Sequence, residues 1–146
     1  MDDSNNDAPP TAAPQPADDW MTATGVRVIA ASADAVEVEL TVARHHLQPY
    51  GVVHGGVHCG LIETVCSYGA ALAAKARGHG GGVVGLENHT SFIRAVRLGA
   101  VLRCKATPIT RGRTTQVWEA SVRDDKDRIV ATGRVRLLAV SLGDLG

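Results

Sequence analysis

The chain has 146 residues, 45% of them hydrophobic, with 15 acids against 15 bases and a formal net charge of zero. That is the length of one compact domain. It has no uninterrupted run of the ~18 apolar residues a bilayer span requires, and no basic-then-hydrophobic opening that would mark a secretory signal.

The zero total hides an uneven split. Asp2, Asp3, Asp7, Asp18 and Asp19 precede Arg27, the first basic side chain, so residues 1–19 carry −5 and the other 10 acids and 15 bases carry +5. Residues 1–19 also hold four of the six prolines and show no apolar periodicity, the composition of a disordered tail. A single domain, 20–146, is expected to begin at Trp20. From Val26 the pattern is strand-like: Val36, Val38, Leu40 and Val42 alternate with Glu37, Glu39 and Thr41, the period of two of a half-buried strand. Residues 43–53, with Pro49 and Gly51, read as a loop. Gly55 to about Ala76 is then rich in small and apolar residues, lacks proline, and is closed by Arg77-Gly78 with Gly80, Gly81 and Gly82 behind it. This predicts a helix of roughly 20 residues. Four further strands are predicted at about 83–94, 100–109, 114–123 and 128–140. They are separated by Leu98-Gly99, Arg111-Gly112-Arg113 and Asp124-Asp125-Lys126-Asp127. The sum is an α+β fold, a curved antiparallel five-stranded sheet wrapped around one long helix. Its open edges predict self-association.

Chemistry concentrates where loop becomes helix, at His54-Gly55-Gly56. Glycine lets a ligand approach the backbone, and first-turn amides have no intrahelical acceptor and sit at the positive end of the helix dipole. The Gly55 amide is therefore placed to polarise a carbonyl and stabilise an oxyanion. Two turns on stands Glu63, the only carboxylate between Glu39 and Glu87 and the only charge from Gly55 to Ala74. It is either a working acid or a buried Glu paired to an arginine of the sheet. His54 and His58 are four residues apart but have no third ligand at metal-binding spacing, so no metal is expected. His54 is expected to order the loop through hydrogen bonds. Cys59, Cys66 and Cys104, also without ligand spacing, read as reduced thiols of a cytosolic protein. Arg94, Arg97, Arg103, Lys105, Arg111 and Arg113 follow one another with no intervening acid. They are either solvated strand positions or, in part, a grip on phosphates. Aromatic residues make up only 3% of the chain, a poor supply of stacking surfaces for a nucleic acid.

This ordered set of motifs resembles the hotdog-fold acyl-CoA thioesterases of the phenylacetate-pathway type, over about residues 26–140. That family has His-Gly-Gly at the helix start and an acid nine residues after the His, as His54 and Glu63 stand here. Asn88-His-Thr-Ser-Phe-Ile-Arg-Ala-Val-Arg-Leu-Gly99, Arg111-Gly112-Arg113 before Trp118, and Ile-Val-Ala-Thr-Gly133 are similar to later family segments. The acid being Glu is similar to the hydroxybenzoyl-CoA thioesterase-like branch. The spacing of Gln48, Gly55, Glu63 and Ser67 follows that branch, with Ser in place of Thr. The resemblance implies Glu63 as nucleophile or general base and the Gly55 amide as carbonyl activator. It implies Gln48 as a holder of substrate or water and Ser67 as the orienter of the attacking water. Gly56, Arg94, Arg111 and Arg113 are the expected contacts to an acyl-CoA substrate, with no separate cofactor. A homodimer, and a dimer of dimers, is implied, with active sites between chains. The sequence departs from the family at Ala95-Val96, where a proline-containing pair is usual, and at Gly85, where some relatives carry a catalytic Ser. Acyl-CoA hydration would want an acid–histidine pair from a different motif, which is not found. A non-catalytic acyl-CoA sensor is the rival of another class, and a nucleic-acid binder, suggested by the basic body, is third.

Overall fold

The computed structural model describes residues 19–146. The segment expected to be a tail thus lies outside the described residues except for Asp19. The Asp19 carboxylate accepts from the Thr22 amide at 2.8 Å and caps a short helix, α1 (Trp20–Thr24). Six strands follow: β1 (Arg27–Ala31), β2 (Val36–Thr41), β3 (Gly82–Phe92), β4 (Val101–Arg111), β5 (Thr115–Arg123) and β6 (Ile129–Val140). They form one antiparallel sheet in the order β1-β2-β4-β5-β6-β3.

The sheet therefore has six strands where the sequence predicted five, because the first strand-like stretch is a hairpin. Its turn is made without glycine or proline. The Ser32 amide donates to the Ala35 carbonyl at 2.8 Å, and the Ser32 hydroxyl accepts from the amides of Asp34 and Ala35 at 3.2 and 3.1 Å. A serine turn of this kind leaves no punctuation in the sequence. β1 is also exposed along its whole length, so it carries no alternating pattern.

The long helix, α2 (Gly55–Ala76), begins and ends where the sequence predicted. It lies in the concave face of the sheet, burying Leu61, Ile62, Val65, Cys66, Ala70 and Ala73 against Val38, Leu40, Leu102, Val122, Val135 and Leu137. Each Leu, Ile or Val side chain among them contributes ~1.5–3 kcal/mol on burial. Trp118, fully buried, packs against the helix at Gly69, where a Cβ would stand 2.5 Å from the ring. Its indole N–H donates to Gln116 at 2.8 Å, and Gln116 donates to the Ala70 carbonyl at 2.9 Å, so the buried polar atoms are paired. By length and composition α2 is apolar enough to cross a membrane, which the lack of an uninterrupted apolar run did not foretell. Half of its most apolar stretch is buried beneath the sheet.

Candidate active site

Glu63 projects from the middle of α2 toward β3. The helix and the strand can approach here because residue 85 has no side chain: a Cβ on Gly85 would stand 2.2 Å from Glu63 Oε1. The carboxylate is held by neutral donors on both oxygens. Ser67 Oγ, one turn along the helix, donates to Oε1 at 3.3 Å, and Asn88 Nδ2 donates to Oε2 at 3.1 Å. The same Asn88 nitrogen donates to the Cys59 carbonyl at 3.1 Å, while Asn88 Oδ1 accepts from Thr90 Oγ1 at 2.6 Å. With its oxygen occupied by a hydroxyl, the Asn88 amide is fixed with its donor end toward the acid. No arginine pairs with Glu63 among the described residues, so the ion-paired alternative does not apply. Beside it, burial pushes the Cys66 thiol up, and the negative charge of Glu63 adds to the shift. Cys66 is accordingly a packing residue.

The start of α2 is organised around His54. It is the N-cap residue, and its Nδ1 accepts from the Gly56 amide at 2.8 Å. Nδ1 as acceptor puts the proton of the neutral ring on Nε2. The cap consumes the Gly56 amide. The Gly55 amide has no acceptor among the described residues. The Phe92 ring, at the end of β3, stands 2.7 Å from where a Gly55 Cβ would be, so only glycine fits beneath it. His58 is buried in the same turn, with Nδ1 unpaired and its ring centroid 6.2 Å from that of Phe92. Burial lowers its pKa. Eight residues separate Gly55 from Glu63, ~12 Å along the helix axis. Reacting atoms must come within ~3–3.5 Å, so within one chain the amide and the carboxylate do not converge on one carbonyl.

Among the other expected site residues, Gln48 lies in the turn before α2, and its side-chain oxygen accepts from the Tyr50 amide. Arg111 is tied to the β1–β2 turn, 2.7 Å from Asp34 Oδ1 and 2.8 Å from the Ala33 carbonyl. Arg113 is exposed in the β4–β5 turn beside the C-terminal end of α2. Arg94 is exposed beyond β3, two residues past Phe92 and so at the opposite end of the helix. The structure thus groups Glu63 with Ser67 and groups His54 with Gly55 and Gly56. It sets Arg94 apart from Arg113. Asn88 and Thr90 were not singled out by sequence reasoning. The only available signal was their place in the Asn88–Gly99 motif, because the contact with Glu63 spans 25 residues and appears only when β3 docks on α2. A groove of ≈ 960 Å³ lies on the outer face of the sheet, lined by both acids and bases and without Glu63.

A long helix held in a curved antiparallel sheet is the hotdog architecture, and here the helix carries a lone carboxylate and begins at an amide with no acceptor among the described residues. A family profile described as the thioesterase superfamily matches residues 50–131, and the chain belongs to that family. Its chemistry is thioester hydrolysis. The chain is similar to Rv1847 of Mycobacterium tuberculosis, 44% identical over 104 residues covering 71% of this chain and 74% of that one. The structure of that protein superposes with a TM-score of 0.79 over 84% of this chain and 96% of that chain, at 36% identity. The chain is similar to the 1,4-dihydroxy-2-naphthoyl-CoA hydrolase of Escherichia coli K12, 31% identical over 70% of this chain and 72% of that one. It is similar also to the thioesterase HI1161 of Haemophilus influenzae, with a TM-score of 0.76, 33% identity and coverage of 84% of this chain and 82% of that chain.

Proposed function

We propose that the protein hydrolyses the thioester of an acyl- or aryl-coenzyme A, with Glu63 as nucleophile or general base and the Gly55 amide polarising the carbonyl. The observation that carries this reading is the state of Glu63: the lone charge of α2 before Lys75, oriented by Ser67 and Asn88, with no cation paired to it among the described residues. As general base it takes a proton from water as the oxygen attacks the thioester carbon. The oxyanion is held by the Gly55 amide, and collapse of the tetrahedral intermediate expels the coenzyme A thiolate, which receives that proton. As nucleophile it attacks the carbon itself, forms a mixed anhydride with loss of the coenzyme A thiolate, and is freed when water hydrolyses the anhydride, the proton released by that water ending on the thiolate. The hydrolase of E. coli similar to this chain is named for an aroyl-CoA, which favours testing aryl substrates first.

Because Gly55 and Glu63 of one chain do not meet, the working site needs a second copy, the Gly55 of one protomer serving the Glu63 of its partner. β3 supplies the surface for this. It is an eleven-residue strand at the edge of the sheet, with Leu86 and Phe92 exposed along it and Ile93 just beyond. An open edge of this kind pairs with another copy of itself, and the outward faces of two such dimers could join in a dimer of dimers. Of the arginines expected at the substrate phosphates, Arg94 and Arg113 have no ion-pair partner among the described residues, whereas Arg111 is paired with Asp34. The three cysteines are free thiols, two of them buried, which fits a cytoplasmic setting.

The test is turnover of an acyl-CoA panel followed by release of free thiol, with wild type and Glu63→Ala compared at equal dimer content. Hydrolysis by wild type, abolished in Glu63→Ala with retained coenzyme A binding, is the expected result. Tight binding without turnover across aryl, short and long acyl groups would overturn it in favour of the sensor.

A further inference from the structure

His46 stands outside the site, in the loop between β2 and α2, where it ends the 3₁₀ turn Arg44–His46 and is only 2% exposed. A buried imidazole is tolerated when its polar atoms are paired, and here both are. Nδ1 accepts from the Ala43 amide at 2.8 Å, so the proton of the neutral ring is on Nε2. Nε2 donates to the Thr24 carbonyl at 2.7 Å. Burial lowers the His46 pKa against the opposing effect of the Thr24 bond, which keeps the ring in the neutral form this pairing requires.

The two bonds reach different parts of the molecule. The first is local: the His46 amide donates back to the Ala43 carbonyl at 3.1 Å, and together they close the turn after β2. The second reaches 22 residues back along the chain, to the last residue of α1. α1 is seated in turn on α2, the Trp20 ring filling the space that a side chain at Gly60 would need. From His46 the main chain runs straight to the start of α2. The His46 carbonyl accepts from the His54 amide at 2.9 Å, Leu47 bridges to Val53, and the Gln48 amide donates to the Val52 carbonyl at 2.9 Å. Residues 46–54 are therefore a small antiparallel hairpin with His46 and His54 at its two ends. His54 caps α2, and the residue after it is Gly55. The far leg is also held at Val53, whose amide donates to the Val96 carbonyl at 2.8 Å. Loss of the His46 ring would thus displace this corner without freeing it.

We propose that His46 is a positioning residue for the Gly55 amide: its ring anchors to α1 the hairpin that ends in the cap of α2, and so fixes where that amide meets a carbonyl. Only the use made of the amide rests on the reading of the protein as an acyl-CoA hydrolase. Two substitutions separate the bonds of the ring. The side-chain oxygen of Asn comes near the place of Nδ1, so His46→Asn keeps an acceptor for Ala43 and loses Thr24. The side-chain nitrogen of Gln reaches near the place of Nε2, so His46→Gln keeps a donor for Thr24 and loses Ala43. His46→Ala loses both.

Two readouts are taken on the full chain. Isotope labels on histidine carbonyls and glycine nitrogens mark Gly55 and Gly80 in an NMR spectrum, because these are the glycines that follow a histidine. Gly80 lies past the other end of α2 and serves as the control; a Cβ there meets nothing, so Gly80→Ala tells the two signals apart. The second readout is kcat and KM for an acyl-CoA, scaled to the folded fraction. The Gly55 signal is expected to move in His46→Ala and His46→Asn and to stay near its wild-type place in His46→Gln, with Gly80 still throughout. In the first two variants kcat falls ~10-fold, the cost of a displacement below the 1 Å that takes ~10²-fold. KM is unchanged, as for a contact made only in the transition state, and His46→Gln restores kcat. A lowered Tm with the Gly55 signal and kcat both unmoved overturns the proposal, since His46 is then a core residue and nothing more. So does either change without the other, and so does equal loss in His46→Asn and His46→Gln, which leaves the link to α1 without effect. If His46→Ala does not fold, the Asn and Gln variants decide. If wild type hydrolyses no acyl-CoA, the hydrolase reading fails, and the Gly55 signal alone settles whether His46 positions that amide.

Discussion

Two carboxylates in this protein are held in opposite ways. Asp124, at the turn between β5 and β6, accepts from the amides of Lys126 and Arg128 at 3.0 Å each and pairs with the Arg128 guanidinium at 2.7 Å. These partners bring its pKa down to about 2. Every lone pair it has is used to close a hairpin, and it is inert. Glu63, on α2, meets only a hydroxyl and an amide, both neutral, and β3 makes room for it by having glycine at residue 85. One acid is locked by a cation to build a turn. The other is aimed without being neutralised, the condition for attacking a carbonyl or taking a proton.

Five substitutions test this contrast. Glu63→Gln keeps the shape and the Ser67 and Asn88 contacts while removing the charge. It should lower kcat by ~10²–10⁴-fold with little change in Tm, read by thiol release and calorimetry. Gly85→Ala drives a methyl into the carboxylate's place, and the resulting displacement of about 1 Å should lower kcat/KM by ~10²-fold with Glu63 still present. Asn88→Ala removes a hydrogen bond to a charged group, and kcat should fall ~10-fold. Asn88→Asp should do worse than Asn88→Ala, because it sets a second negative charge against Glu63; equal activity in the two would mean that Asn88 does not orient the acid. Asp124→Asn should barely alter turnover. Its effect is on stability against pH. A carboxylate whose folded pKa lies below its unfolded value stabilises the fold above pH ~4 and loses that contribution as pH falls toward 2. The Tm gap between wild type and Asp124→Asn should therefore be widest near neutrality and close between about pH 4 and pH 2.

What the sequence made legible was local. The helix boundaries were written in the proline-free run from Gly55 and the glycines after Arg77, and β3 to β6 in alternation and turn clusters. The β1–β2 hairpin was not, because Ser32 closes its turn with a hydroxyl. Glu63 stood out as the lone charge of its helix, and Ser67 is four positions from it. Asn88 and Gly85 have no such mark, because their relation to Glu63 exists only across the α2–β3 contact. Arg111 shows the converse: the sequence reads it as part of a free turn, yet it ends β4 and its partner Asp34 is 77 residues away in the chain. Groups that act through neighbours in the same helix can be found by spacing, and groups that act across the sheet need the fold.

The eight-residue interval between Gly55 and Glu63 also makes α2 a ruler. Each residue of an α-helix advances the chain ~1.5 Å and turns it ~100°. A single insertion or deletion between Gly56 and Ile62 would swing the carboxylate a quarter-turn away from Gly85 and Asn88 while leaving most of the core intact. This stretch can vary in side chains, as its buried aliphatic positions allow, but not in length. The turn at residues 124–128 and the loop at residues 94–100, which carry no such measure, are where additions would be accommodated.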